Sequence, residues 1–259
     1  MNSGRTMQRR IAIVAVAACL VLAGGSHAYA QRAGGAGGRG AAPAPPTPKS
    51  DAAIDITGTW VSVISDDWSW RMITPRKGDY TRVPLTPAAR KMADSWDPAK
   101  DTAAGDQCKA YGVGGGYRLP GYLRISWQDD TTMKIDMTAG TQTRIFNFRP
   151  AQAPPEPSLQ GYSTAAWQYT RNPPRSGELK VDTSRVTPGY LRKNGVPYDA
   201  NMTMTEYFHR FTAPNKDIWL TIVTEIRDPQ ILNQPFVQST HFKKVPDTTP
   251  FKPEPCEAQ

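Results

Sequence analysis

Glu206 is the residue whose neighbours most suggest chemistry. It shares an alternating face with Met202, Met204 and Phe208, and a carboxylate on such a face is desolvated and its pKa raised if the face points inward. That would suit it to general acid or base work. Arg144, flanked alternately by Gln142 and Phe146, has the right pattern to bind an anionic group or to pair with Glu206. His209 falls on the opposite face from Glu206, beside Tyr207 and Thr205, so the two could work together only across a bulge. His241 shares its face with Val237 and Ser239. The plain alternative for each is a solvent-facing strand charge or a structural ion pair. Aromatic rings form the second group. Trp68 and Trp70 read as one face of a short segment, and Trp127, Trp167, Tyr169 and Trp219 recur later. They suit either a pocket for a flat apolar ligand or an ordinary core.

Local catalytic motifs do not add to this set. The chain has no Gly-x-Ser-x-Gly elbow, His-Glu-x-x-His pair, dinucleotide fingerprint or calcium loop, so neither a cofactor nor a metal is expected. The Gly114-Gly115-Gly116 run lacks the Lys-Ser/Thr partner of a phosphate loop and reads as a flexible loop. Of the three cysteines, Cys19 lies in the leader described below, and Cys108 and Cys256 remain. In an oxidising compartment a lone pair tends to join, and two thiols alone are too few for a zinc site.

The elements that must position these residues read mainly as strands. Runs of β-branched or alternating residues occupy 54–63, 123–127, 133–137, 141–148, 179–182, 202–211, 218–226 and 236–243. Asp129-Asp130-Thr131-Thr132 supplies one hairpin turn. Many short strands joined by local turns favour an all-β, mainly antiparallel closed barrel, or failing that a sandwich, because closure removes exposed edges. One helix stands out. Thr86 is a cap, Pro87 suits the first position, and good helix formers run on to Ser95 before Asp97-Pro98.

The ends of the chain carry an address. Arg5, Arg9 and Arg10 precede an apolar run from Ile11 to Ala23, and Ala28-Tyr29-Ala30 is a small-x-small cleavage site. Residues 1–30 therefore read as a secretory signal peptide, placing the mature protein in the periplasm or outside the cell. A lipoprotein acylated at Cys19 is the alternative, opposed by the apolar residues that follow it. Residues 31–53, rich in Gly, Ala and Pro, read as a disordered linker; 54–245 as the barrel domain; 246–259 as a Pro-rich tail. The net charge of +8 includes three leader arginines, leaving roughly +5 in the mature chain. Lys and Arg are scattered and no nucleic-acid signature is present, so nucleic-acid binding is not expected. No mature segment is apolar over a membrane-spanning length.

Gly58-Thr59-Trp60 at the start of the first strand resembles the Gly-x-Trp signature of lipocalins and related calycin barrels, with Lys243 and Lys244 standing where those barrels place a stacking arginine. More of the chain resembles a large family of uncharacterised exported bacterial proteins of lipocalin-like barrel character. The matching blocks include Leu85-Thr86-Pro87, the loop around Cys108, Gly161-Tyr162-Ser163, Asn194-Gly195-Val196-Pro197-Tyr198 and Thr205-Glu206-Tyr207-Phe208. The resemblance implies a barrel and an exported location, and no activity. Two functions from different classes follow from the residues. One is a periplasmic binder of a small apolar or aromatic molecule held inside the barrel. The other is a cofactor-independent lyase, isomerase or hydrolase using Glu206. An envelope scaffold without a small ligand is the third.

Overall fold

The computed structural model describes residues 45–149, 156–170 and 176–258. The expected signal peptide, Cys19 and the greater part of the expected linker lie outside the described residues.

Nine strands close into a barrel: β1 (Gly58–Val63), β2 (Tyr122–Trp127), β3 (Thr132–Met137), β4 (Gln142–Asn147), β5 (Tyr162–Tyr169), β6 (Gly177–Ser184), β9 (Thr203–Thr212), β10 (Ile218–Arg227) and β11 (Phe236–Val245). A small hairpin, β7 (Gly189–Arg192) with β8 (Val196–Tyr198), lies outside it. The barrel order is β1-β11-β10-β9-β6-β5-β4-β3-β2, closed where β1 pairs with both β11 and β2. Every pairing is antiparallel except β4 with β5, which is parallel. Closure satisfies the backbone groups that an open edge would leave to water.

The period-two pattern works as the sequence implies. Met204, Glu206 and Phe208 of β9 face inward, as do Met133, Ile135 and Met137 of β3. The lumen is filled with side chains, among them Trp60, Ile125, Phe146, Leu179, Phe208 and Phe242, all buried. At the end where β1 finishes, Tyr117 enters from a 3-10 turn (Gly116–Arg118). Its ring meets those of Phe208 and Phe242 edge-on at 6.3 Å each. At the opposite end Ile54 and Ile56 pack against the core, and Trp60 Nε1 donates to the Ile56 carbonyl at 2.9 Å. The first strand is shorter than the sequence implies. Asp55 accepts hydrogen bonds from the Thr57 backbone and hydroxyl, a local side-chain to backbone link that stands in place of strand pairing ahead of Gly58. The Lys244 ammonium lies 5.6 Å from the Trp60 ring centroid, a cation–π contact across the last and first strands.

Three further expectations need correction. The segment 45–53, read as part of a disordered linker, lies against the far end of the barrel. Trp167 Nε1 donates to the Pro48 carbonyl at 2.7 Å, the Lys49 amide to Asp130 at 3.2 Å, and the Tyr169 hydroxyl to Asp51 at 2.8 Å. The single expected helix has neighbours: α1 (Trp68–Arg71), α2 (Pro87–Ser95) and α3 (Pro98–Ala104). Thr86 caps α2 by accepting from the Ala89 amide at 3.1 Å, as expected, but Asp97-Pro98 begins a helix rather than merely ending one. Asp97 caps α3 through the Ala99 amide at 3.0 Å, with Pro98 at the first position. The glycine run is buried, not a flexible loop. A Cβ at Gly114 would lie 2.9 Å from Leu191 and Tyr198, and one at Gly115 would lie 2.7 Å from the Ala110 carbonyl. Glycine is required because this loop is pressed directly onto the β7–β8 hairpin.

Cys108 and Cys256 form a disulfide, with Cα atoms 5.0 Å apart across 148 residues of sequence. The tail leaves β11 at the far end of the barrel and returns along its outside. Asp247 accepts from the Thr59 amide at 2.8 Å, Phe251 lies under the Arg124 guanidinium at 4.5 Å, and the Glu254 amide donates to Thr138 at 2.8 Å.

Candidate functional site

Glu206 and Arg144 meet inside the barrel, on the inward faces of β9 and β4. Arg144 Nη1 donates to Glu206 Oε1 at 3.0 Å and Nη2 to Oε2 at 2.7 Å, a bidentate pair with both side chains about 1% exposed. Nη2 also reaches Ser163 and Thr183 at 3.3 and 3.2 Å, and the guanidinium lies 5.0 Å from the Tyr117 and Phe146 rings. Burial opposes the Arg144 charge, but Glu206 and Tyr117 outweigh it and hold the Arg144 pKa above its ordinary value. Burial pushes the Tyr117 phenol up, with Arg144 opposing the shift and Glu206 adding to it. Both Glu206 oxygens are engaged and packed side chains surround the pair, which is the geometry of an internal brace.

The other sequence candidates are dispersed. His209 lies on the barrel exterior, its Nε2 3.0 Å from Glu178. His241 also faces outward, with Nδ1 3.3 Å from the Ser65 hydroxyl and 3.8 Å from Asp66. Neither approaches Glu206 as a partner within hydrogen-bond reach. Trp127 sits at the far end of the barrel, its ring 5.1 Å from that of Phe148 and tilted 36° to it, next to Trp167. Trp68 and Trp70 do not share a face, because their segment is a helical turn rather than a strand. Residues two apart on a helix point to nearly opposite sides. Trp68 is 62% exposed, whereas Trp70 turns inward and donates from Nε1 to Asp79 at 2.7 Å.

One cavity lies over the end of the barrel where β1 finishes, in the cap built from α1, the 110–120 loop, the β7–β8 hairpin and the returning tail. Its volume is about 250 Å³. Trp70, Met72, Ile73, Tyr111, Leu119 and Leu191 supply much of its apolar wall, and Arg71, Arg118, Arg192 and Lys193 line it as well. A second cavity of about 250 Å³ lies at the far end beside Trp167 and Tyr169, under Pro46 and Pro48.

Each arginine of the cap is placed by its own element. Arg71 closes α1 and donates from Nε to the Arg118 carbonyl at 3.0 Å. Arg118 ends the 3-10 turn that also carries Tyr117, and its Nη2 is 3.3 Å from Asp67. Arg192 ends β7 and donates from Nη2 to the Thr81 carbonyl at 2.8 Å. The hairpin behind it is clamped: buried Asn194 donates to the carbonyls of Arg76 and Asp79 at 3.1 and 2.9 Å, and Tyr190 donates to Asp101 at 2.8 Å. The Arg192 and Arg82 guanidinium groups lie 5.5 and 5.6 Å from the Trp70 ring centroid. Arg71, Arg118 and Arg192 are 5, 4 and 4% exposed. Burial pulls the Arg71 pKa down to about 10, and the neighbouring Arg118 charge adds to that; the same two causes pull Arg192 down to about 10. Burial lowers Arg118 also, against the opposing pull of Asp67.

These three arginines escape the sequence reading, which sees scattered basic residues. The signal they carry is faint: an aromatic residue stands one or two positions before each, as Trp70, Tyr117 and Tyr190. Among the described residues no cluster of three or more His, Cys, Asp or Glu side chains is placed to hold a metal ion. No helix among them is long and apolar enough to cross a membrane. Comparison with protein-family models, with curated proteins and with solved structures returned no match.

Proposed function

We propose that this chain is an exported β-barrel protein that binds a small organic molecule, and that the molecule sits in the cap cavity rather than in the lumen. The observation that carries this reading is the contrast in filling. The lumen is occupied by buried side chains from every barrel strand, β5 contributing Ala165, whereas the cap holds an open cavity with an indole at its wall. Its apolar rim includes Met72 and Ile73, 58 and 64% exposed, side chains that a folded chain gains nothing by presenting to water. Export is supported by the leader pattern in residues 1–30 and by the disulfide between Cys108 and Cys256. Gly58-Thr59-Trp60 with the Lys244 ammonium over its indole supports a lipocalin-like character for the barrel.

The test is a fluorescence and thermal-shift screen of small amphipathic compounds against the wild type and Trp70→Phe, with product analysis of every hit. Binding without turnover, with a quench that disappears in Trp70→Phe, is the expected outcome. Hits whose signal survives that substitution would move the site elsewhere. Turnover would favour an enzyme, and a screen without hits would favour a scaffold. N-terminal sequencing of the protein recovered from its native host tests export, with a new terminus near Gln31 expected.

A further inference from the structure

We propose that the cap cavity is an oxyanion site, in which Arg71 and Arg192, with Arg118 beside them, take the carboxylate of a small organic acid. This rests on reading the cavity as a ligand site and adds the charge and chemical class of the ligand. Three guanidinium groups converge there from elements far apart in sequence, and their needs are not met by the protein. Arg118 has Asp67 at 3.3 Å, but the same carboxylate is held by Arg82 at 2.7 Å. Arg71 uses only Nε and Arg192 only Nη2, each on a backbone carbonyl. Nη1 and Nη2 of Arg71, and Nε and Nη1 of Arg192, are buried with no hydrogen-bond partner.

Buried donors without acceptors, set among like charges, are costly to a fold. Apolar residues of similar size would serve stability better. One oxyanion would answer both faults, by accepting from the free nitrogens and by offsetting the mutual repulsion. The guanidinium fork matches a carboxylate in plane and spacing. The remaining wall selects among anions. Glu254 and Glu257 of the tail line the same cavity, which disfavours a polyanion, and Met72, Ile73 and Leu119 suit an apolar body. A cavity of about 250 Å³ suits an acid of one ring or a few carbons.

Isothermal titration of the oxidised full-length protein with benzoate, its neutral counterpart benzamide, and inorganic phosphate reads the site directly. Benzoate is expected to bind, and benzamide to bind at least about tenfold more weakly. Arg71→Gln and Arg192→Gln should each weaken benzoate about tenfold or more, with no fall in the Tm of the unliganded protein. Arg71→Lys, which keeps the charge and loses the fork, should fall between. Phosphate binding as tightly as benzoate, and lost in the same variants, would overturn the organic-acid assignment and give the site to a free inorganic oxyanion. Equal affinity for benzamide and benzoate, or benzoate affinity that survives both glutamine substitutions, would overturn the oxyanion site while leaving the cavity as a ligand site. Failure of all three probes would also overturn it, and the Trp70 compound screen then decides separately whether the cavity binds anything.

Discussion

Guanidinium groups are buried in two parts of this molecule, and the two are handled in opposite ways. Arg144 sits in the lumen with a carboxylate facing it in bidentate geometry, two hydroxyls within reach and aromatic rings around it. Arg71 and Arg192 sit in the cap with one carbonyl each, free nitrogens, and another arginine next to them. Desolvation acts on both. Inside the barrel a dedicated counter-ion reverses its effect and raises the Arg144 pKa, whereas in the cap burial and the Arg118 charge outweigh the pull of Asp67 and Asp66 and the Arg71 pKa falls to about 10. The difference teaches where to look for function. A buried charge whose partner is supplied by the chain itself has a structural reason to exist. A buried charge whose partner is missing points to a partner from outside.

That contrast is open to direct attack. The largest effect is expected at the lumen pair: Arg144→Met strands Glu206 without a counter-ion and should lower stability by about 3–5 kcal/mol. Urea unfolding measures it, and the double variant Arg144→Met, Glu206→Leu should recover much of the loss. Near-additive losses would mean that the pair is not the brace described here. Next comes the disulfide. Cys256→Ser should cost about 2–4 kcal/mol and loosen the tail wall of the cavity; an unchanged denaturation midpoint would dissociate the tail from the cap.

A smaller effect is expected at Asp79, whose hydrogen bond from Trp70 is the main cause of a pKa below the ordinary carboxylate value. Asp79→Asn should cost about 1 kcal/mol at pH 7. Because the folded pKa is depressed, this contribution is present above the unfolded value of about 3.9 and is lost as the pH falls through the lower folded value. Wild-type and variant stabilities should therefore converge in acid, and a gap that persists there would discount the charge on Asp79. Smallest of all is the effect of Arg71→Met on the unliganded protein, expected to be neutral or slightly stabilising because it removes an unanswered charge. A loss comparable to that at Arg144 would erase the distinction between the two regions.

The lumen was largely legible in the sequence and the cap was not, for a physical reason. A strand repeats every two residues, so Met204, Glu206 and Phe208, or Gln142, Arg144 and Phe146, declare a shared face from local spacing alone. Two such faces across one barrel then imply a pair. The helix at Pro87–Ser95 and the cystine were readable for similar reasons, the first from its capping residues and the second from cysteine number. Arg71, Arg118 and Arg192 belong to no common period. They meet only because a glycine run lies flat on a hairpin, Asn194 clamps a turn more than a hundred residues away, and Asp97 starts a helix where the sequence suggests only a stop. Trp68 and Trp70 misled through the same gap. Alternation over so short a stretch fits a strand as readily as one turn of helix, and only the surrounding cap decides between them. Residues 45–53 have a linker's composition, yet their carbonyl and amide groups find partners on finished strands.

The cystine also imposes an order on the molecule's assembly. Cys108 precedes eight of the nine barrel strands and Cys256 follows all nine. As the chain emerges from its amino end, the first thiol must wait, unjoined, while everything between them is made. The bond therefore closes only on a chain whose entire barrel has been synthesised. It acts as a late latch, fastening the cap walls and tail only once every barrel strand has been made. Until then Cys108 has no cystine partner, so a pulse of alkylating reagent during synthesis should mark it in chains that have not yet reached Cys256 and spare it in finished, oxidised protein.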